Sequence, residues 1–219
     1  MTKEHIHAVL TGDLIQSRAA DKATVDATMD ILAATARDIA TRWASPVHFT
    51  RFRGDGWQFA LTDPRNALDA TLLCLADLRA GDLGMDTRIA IGLGSITHTG
   101  SNTLADATGT AFIASGDALD EMSRKRRLTI AGDGVTPWHH ATLALVDYLT
   151  LGWTAAQAEA AALWVRHPGT TQDDLAKHLN ITRQAAQARL AAAGTNYLVD
   201  PRKAFQTHAY PKLGDVPHD

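Results

Sequence analysis

The chain has 219 residues, 45% of them hydrophobic and 21% charged, with a formal net charge of −3. That length supports one large or two small domains with a sizeable core. The slightly acidic balance excludes a global basic field, so any contact with nucleic acid has to come from a local patch. A single cysteine, Cys74 in an apolar run, excludes a disulfide framework and suits a reducing compartment. Residues 1–5 carry no apolar signal core and no stretch reaches the length of a membrane span, which predicts a cytoplasmic chain with no membrane partner.

In chain order, residues 6–11 read as an apolar strand closed by Gly12-Asp13. Val25, Met29, Leu32, Ala36, Ile39 and Trp43 then recur in steps of four and three, which predicts an amphipathic helix over 22–43. Val47 to Arg53 and Trp57 to Leu61 alternate around Gly54-Asp55-Gly56 and predict a hairpin. Asp63-Pro64 starts a helix with Leu68, Leu72, Leu75 and Leu78 inward. Residues 88–94 form a central strand whose two glycines let a neighbour or ligand approach the backbone. A helix over 110–124 and a short strand over 128–131 complete the order β-α-β-β-α-β-α-β. This predicts an α+β fold: a ferredoxin-like βαββαβ core with an added helix and strand, followed by an all-α region.

Beyond Gly132-Asp133-Gly134 only helical periodicity is present, over 138–151, 154–166, 170–180 and 183–193, until a short strand signal at Tyr197-Leu198-Val199. The expected organisation is a domain over 1–134, a linking helix over 135–152, a helical domain over 153–200 and a partly irregular tail over 201–219 containing Pro201, Pro211 and Pro217.

Two constellations carry chemistry. Asp13 ends a strand and Asp55 tips a hairpin, and the intervening helix can return the chain so that these strands lie side by side. Paired carboxylates from separate strands suit a divalent cation and a polyphosphate. Ordinary turn chemistry also explains Gly-Asp at either place. The second constellation is 170–190, with the outline of a helix-turn-helix. Thr171 and Thr182 stand as helix caps, Asn180 sits where the turn needs a left-handed residue, and Ile181 fills the corner. Its second helix turns Ala186 and Leu190 inward and Arg183, Gln184 and Gln187 outward, with Arg189 beside the backbone. Arg and Gln make paired hydrogen bonds to guanine and adenine in the major groove, which points to double-stranded DNA. A helical hairpin that packs on itself or dimerises has the same outline. The ten histidines show no ligand spacing, and no hydrolase, Walker-loop or Cys-His motif appears.

The segments 12–18, 53–57, 88–94 and 109–112 together resemble the class III nucleotide cyclase fold, and more closely the small SatD-like proteins that join such a domain to a C-terminal helix-turn-helix. The resemblance runs to about residue 195. It implies Mg²⁺ held by Asp13 and Asp55 with the carbonyl of Leu14 or Ile15, against a purine nucleoside triphosphate. The turn Leu14–Ser17, with Ile15, Gln16 and Ser17, would enter a helical region and cradle phosphate oxygens through backbone N–H groups, with Arg18 adding charge. Arg51 and Asp106 would contact the base. Cyclases of this layout place an Asn and an Arg where this chain has Ile113 and Asp117, and those donors stabilise the transition state. The resemblance thus implies a DNA-binding transcriptional regulator whose nucleotide domain senses or dimerises. The alternative is an Mg²⁺-dependent cyclase or nucleotidyltransferase that draws positive charge from residues 124–127. Nucleotide bound near a homodimer interface would shift the helix-turn-helix units through the 138–151 helix.

Overall fold

The structure is a computed structural model that describes residues 6–43, 48–52, 54–97 and 104–213. His5, Val47, Arg53 and Pro217, named above, lie outside them. Its strands are β1 (His7–Ile15), β2 (Thr50–Phe52), β3 (Gly56–Leu61), β4 (Asp86–Gly94) and β5 (Leu128–Gly132). Its helices are α1 (Lys22–Arg42), α2 (Ala67–Ala80), α3 (Thr110–Asp120), α4 (Pro137–Leu151), α5 (Ala155–Arg166), α6 (Gln172–Leu179), α7 (Arg183–Ala192) and α8 (Thr195–Thr207).

The fold is mixed α+β. One sheet has the order β2-β3-β1-β4-β5, antiparallel throughout except for the parallel β4–β5 pair. Alternation in β1 assigns its two faces. Ala8, Leu10 and Leu14 join the large core with α1 and α2, while Val9 joins Ala60, Leu104 and Ala111 beneath α3. Both faces are covered, which explains why β1 reads as a nearly continuous apolar run. The β4 glycines serve a neighbour: a Cβ on Gly92 would lie 2.5 Å from the Ser115 backbone nitrogen, so α3 packs directly on the strand.

α2 is the central helix. Every residue from Ala67 to Ala76 is buried, because the sheet covers one side and α5 the other. The four leucines predicted to face inward mark only half of that contact. The same apolar cluster runs from β1 through Leu143 and Val146 of α4 to Leu198 and Phe205 of α8. A smaller cluster of Ala160, Leu175, Ala176, Ala186 and Leu190 holds α5, α6 and α7 together.

Arginine–aspartate pairs fasten the C-terminal helices to this frame. Buried Arg202 of α8 donates from Nε and Nη2 to the two Asp69 oxygens at 2.6 and 2.8 Å, and its guanidinium lies 4.4 Å from the Trp164 ring centroid. Arg166 of α5 reaches Asp77 of α2 at 2.9 and 2.5 Å and Asp38 of α1 at 2.8 Å. Arg127 joins Asp147 of α4 at 3.0 Å and Asp86 of β4 at 2.8 Å.

Four expectations are corrected. The helix over 110–124 ends at Asp120, because a turn in which the Arg126 N–H donates to the Ser123 carbonyl (2.9 Å) redirects the chain and inserts Arg127. Arg127 is therefore a buried ion-pair residue, so it does not supply free positive charge. Tyr197-Leu198-Val199 belongs to α8 and forms no strand. Burial of Thr195, Leu198, Arg202 and Phe205 has helical spacing, and the helix continues through Pro201 into the stretch expected to be irregular. The turn after β1 is an isolated three-residue 3₁₀ turn, Ser17–Ala19, and Asp21 caps α1 beyond it by accepting the Thr24 N–H at 2.8 Å. Among the described residues no helix is long and apolar enough to cross a membrane.

Two outcomes follow for stability. Asp69→Ala strands the Arg202 charge in the core and is expected to cost about 3–5 kcal/mol in a denaturant titration. His139 is buried, and its Nδ1 accepts the Thr136 N–H at 3.1 Å, which assigns the ring proton to Nε2 facing Tyr210 Oη at 3.2 Å. Burial, then the charges of His208 and His140, lower its pKa from 6.5 to about 4. Between these values the unfolded chain holds the proton and the folded chain does not. Stability is therefore expected to fall as pH drops from about 6.5 towards 4, by up to about 3 kcal/mol. His139→Gln should flatten that slope in melts recorded across the same pH range.

Candidate functional site

Strand register brings the two turn aspartates to one end of the sheet. Asp13 stands opposite Gly56 on β3, and the Leu14 N–H donates to the Asp55 carbonyl at 3.1 Å. Ser17 Oγ donates to Asp55 Oδ2 at 2.5 Å, which fastens the hairpin tip to the 3₁₀ turn after β1. Asp13, Asp55 and Ser17 are thus linked through neighbouring backbone. Gln16 is exposed in the left-handed conformation at φ 60°, Arg18 is exposed beside it, and Ile15 ends β1 half-buried. Two N–H groups of this turn are already used, Ala19 on the Gln16 carbonyl and Ala20 on the Ser17 carbonyl.

The decisive partner comes from the other side of β1. Arg88 stands opposite Asp13 on β4 and grips it with both arms: Nε donates to Oδ1 at 2.9 Å and Nη2 donates to Oδ2. The hydrogen bond that Arg88 donates to Asp13 raises the Arg88 pKa above its ordinary value, with the Asp120 carboxylate adding in the same direction and partial burial opposing. Behind this pair, Trp57 Nε1 donates to Thr87 Oγ1 at 2.9 Å, and that hydroxyl donates to the Asp13 carbonyl at 2.8 Å. Both the carboxylate and the carbonyl of Asp13 are therefore engaged. By sequence Arg88 is only the first residue of the strand expected over 88–94. Its partnership needs the β1–β4 register, which no local spacing encodes.

A cleft of about 490 Å³ opens on the α3 side, lined by Thr11, Thr50, Gln58, Leu104 and Asp120 among others. Gln58 Nε2 donates to Thr11 Oγ1 at 2.7 Å, and Thr11 shares a 2.7 Å hydrogen bond with Ser115 of α3. Arg51 borders the cleft, but its guanidinium is committed to Asp26 of α1 and the Gly54 carbonyl, both at 2.7 Å. Asp106 is exposed at the end of a short 3₁₀ turn, and among the described residues no hydrogen bond or ion pair joins it to Arg51. Ile113 and Asp117 stand exposed on α3, away from the sheet-facing row of Ala111, Ser115 and Leu119.

Among the described residues no three His, Cys, Asp or Glu side chains gather into a metal cluster. A cation held by Asp13 and Asp55 would have two protein carboxylates, and backbone, water or phosphate oxygens would fill the remaining positions, the usual style of Mg²⁺. The donor chemistry fits. The Arg88 guanidinium competes for the same Asp13 oxygens.

The second constellation is equally specific in place. The Asp174 N–H donates to Thr171 Oγ1 at 3.2 Å and the Ala185 N–H to Thr182 Oγ1 at 3.1 Å, so both threonines cap their helices. Asn180 turns the chain at φ 51° between α6 and α7. Arg183, Gln184 and Gln187 are exposed along α7, with Arg183 only loosely drawn to Asp173 at 3.8 Å. Arg189 is held back against α5 by Glu159 at 3.1 Å.

No family model and no curated protein matches the chain. Among solved structures, the guanylyl cyclase Cya2 is similar at 15% identity and TM-score 0.38, covering 58% of this chain and 75% of that one. The catalytic core of a rhodopsin-guanylyl cyclase with converted specificity, in complex with ATPalphaS, is similar at 14% identity and TM-score 0.37, covering 60% of this chain and 81% of that one.

Gly12 shows how tightly the site is built: a Cβ there would lie 2.5 Å from the Arg88 carbonyl oxygen and from two Trp57 ring carbons. Gly12→Ala is expected to cost about 1–3 kcal/mol by overpacking. It should also change Trp57 fluorescence, measured against the wild type in urea melts.

Proposed function

We propose that this chain is a DNA-binding regulator. In this reading α6 and α7 form a helix-turn-helix, α7 enters the major groove of double-stranded DNA, and the sheet domain of ferredoxin-like, cyclase type holds a purine nucleotide with Mg²⁺. The observation that carries the reading is the division of α7. Ala186 and Leu190 are seated in a small core of their own, while Arg183, Gln184 and Gln187 stand uncovered by any described element. The capped N-terminus of α7 adds a partial positive charge that suits a phosphate.

The nucleotide half is supported by the strand order 2-3-1-4 with antiparallel neighbours, which is that of a split βαβ core, and by the shared position of Asp13 and Asp55. Neutral donors and acceptors on Thr11, Thr50 and Gln58 suit a nucleoside better than a second phosphate. For Mg²⁺ to reach Asp13, Arg88 must leave it. A phosphate oxygen is the natural new partner for the released guanidinium. Efficient turnover is disfavoured, because exposed Ile113 and Asp117 supply neither an amide nor a cation. The protein acts as a homodimer, which lets two weakly basic half-sites add.

Selection from random double-stranded DNA with the full-length protein tests this reading. Enrichment of a motif is expected. Arg183→Ala and Gln187→Ala should each weaken binding to it by about 5- to 150-fold, from the ~1–3 kcal/mol of one paired base contact. Helical content should not change. Recovery of the same DNA by the double variant as by the wild type would overturn the assignment.

A further inference from the structure

α4 and α8 share an apolar face that no other described residue covers. Tyr148 is 82% exposed, Tyr197 73%, Leu145 71% and Leu151 57%, in a protein whose other large apolar side chains are mostly buried. Three of the four are contiguous: Leu145, Tyr148 and Tyr197 line one groove of about 340 Å³ together with Thr142, Leu149 and Pro201. The charge pattern agrees. No charged side chain lines that groove, and the only Asp, Glu, Lys or Arg from Pro137 to Leu151 is Asp147, which is buried against Arg127. Aromatic enrichment and depletion of charge mark the core of a protein interface.

We infer that this face is a symmetric docking surface for a second copy of the chain. Leu145, Tyr148 and Tyr197 are each more than two-thirds exposed, so they can give most of their surface to an interface of the standard ~800 Å² per partner. A partner of opposite charge has nothing to grip here, whereas a neutral apolar face is matched by itself. The surface also carries both halves of a self-complementary contact, a protruding phenol ring and a groove beside it. A two-fold axis places each ring in the other copy's groove. The proposal deepens the dimeric part of the reading above and rests on it. It assigns the contact to α4 and α8 and leaves the sheet end free. Because only Ala193 and Gly194 separate α8 from α7, this contact would fix the separation of the two α7 helices.

Analytical ultracentrifugation of the full chain, without DNA or nucleotide, tests the surface. The wild type is expected to dimerise in the micromolar range. Leu145→Glu combined with Tyr148→Glu should raise the dissociation constant at least 30-fold or so, the loss of one interface hot spot. Far-UV circular dichroism and melting should remain wild-type, since both side chains are exposed. A Tyr148→Cys variant should also be joined into a dimer by a bifunctional maleimide, and buried Cys74 should leave the wild type unjoined. A dimer that survives the double glutamate variant would overturn the surface while keeping the dimer. A wild type that stays monomeric would overturn both, without touching the DNA assignment.

Discussion

Three arginines determine how this molecule is put together. Arg127, Arg166 and Arg202 each leave a strand end or C-terminal helix and find aspartates on the sheet or on α1 and α2. Each is wholly or largely withdrawn from water, so each pair matters less for net stability than for registry. A well-packed apolar pair would hold as firmly, but a misplaced helix would strand a charge. These pairs explain how α2 can be buried along most of its length although it carries Asp69 and Asp77. The C-terminal helices lie on it as a second layer, and the only carboxylates on that side, Asp69 and Asp77, are held by their arginines.

That anchoring bears on any signal passing between the two constellations. Asp13 and Asp55 sit at one end of the sheet, and α6 and α7 hold their own small core. Arg166 and Arg202 fix the intervening α5 and α8 against α1 and α2. A ligand at the sheet end moves α7 only if its preference for one arrangement exceeds the cost of releasing such pairs. The Asp13–Arg88 pair is the more accessible switch. It is partly exposed, it joins two central strands, and a cation with a polyphosphate offers both partners an alternative.

Much of the fold was legible because its signals are local. The 3.6 period from Val25 to Ile39 located α1, and Thr171, Asn180 and Thr182 located the turn between α6 and α7 by cap chemistry alone. The illegible parts depend on tertiary partners. Tyr197-Leu198-Val199 has strand propensity, and Pro201 follows closely; only the burial of Leu198, Arg202 and Phe205 makes the stretch a helix. By sequence Arg127 is one member of the basic run 124–127, because its aspartates are 20 and 41 residues away. The site divides in the same way. Gly-Asp turns announced Asp13 and Asp55, whereas Arg88 became their neighbour only through strand register.

The most direct measurement is calorimetric titration of ATP and GTP with Mg²⁺ into the wild type and Arg88→Ala, followed by prolonged incubation and product analysis. Binding to the wild type with no cyclic or oligomeric nucleotide formed, and a changed affinity in Arg88→Ala, is the predicted result. A cyclic nucleotide made by the wild type and abolished by Asp55→Ala would contradict the account and make the sheet end a working active site.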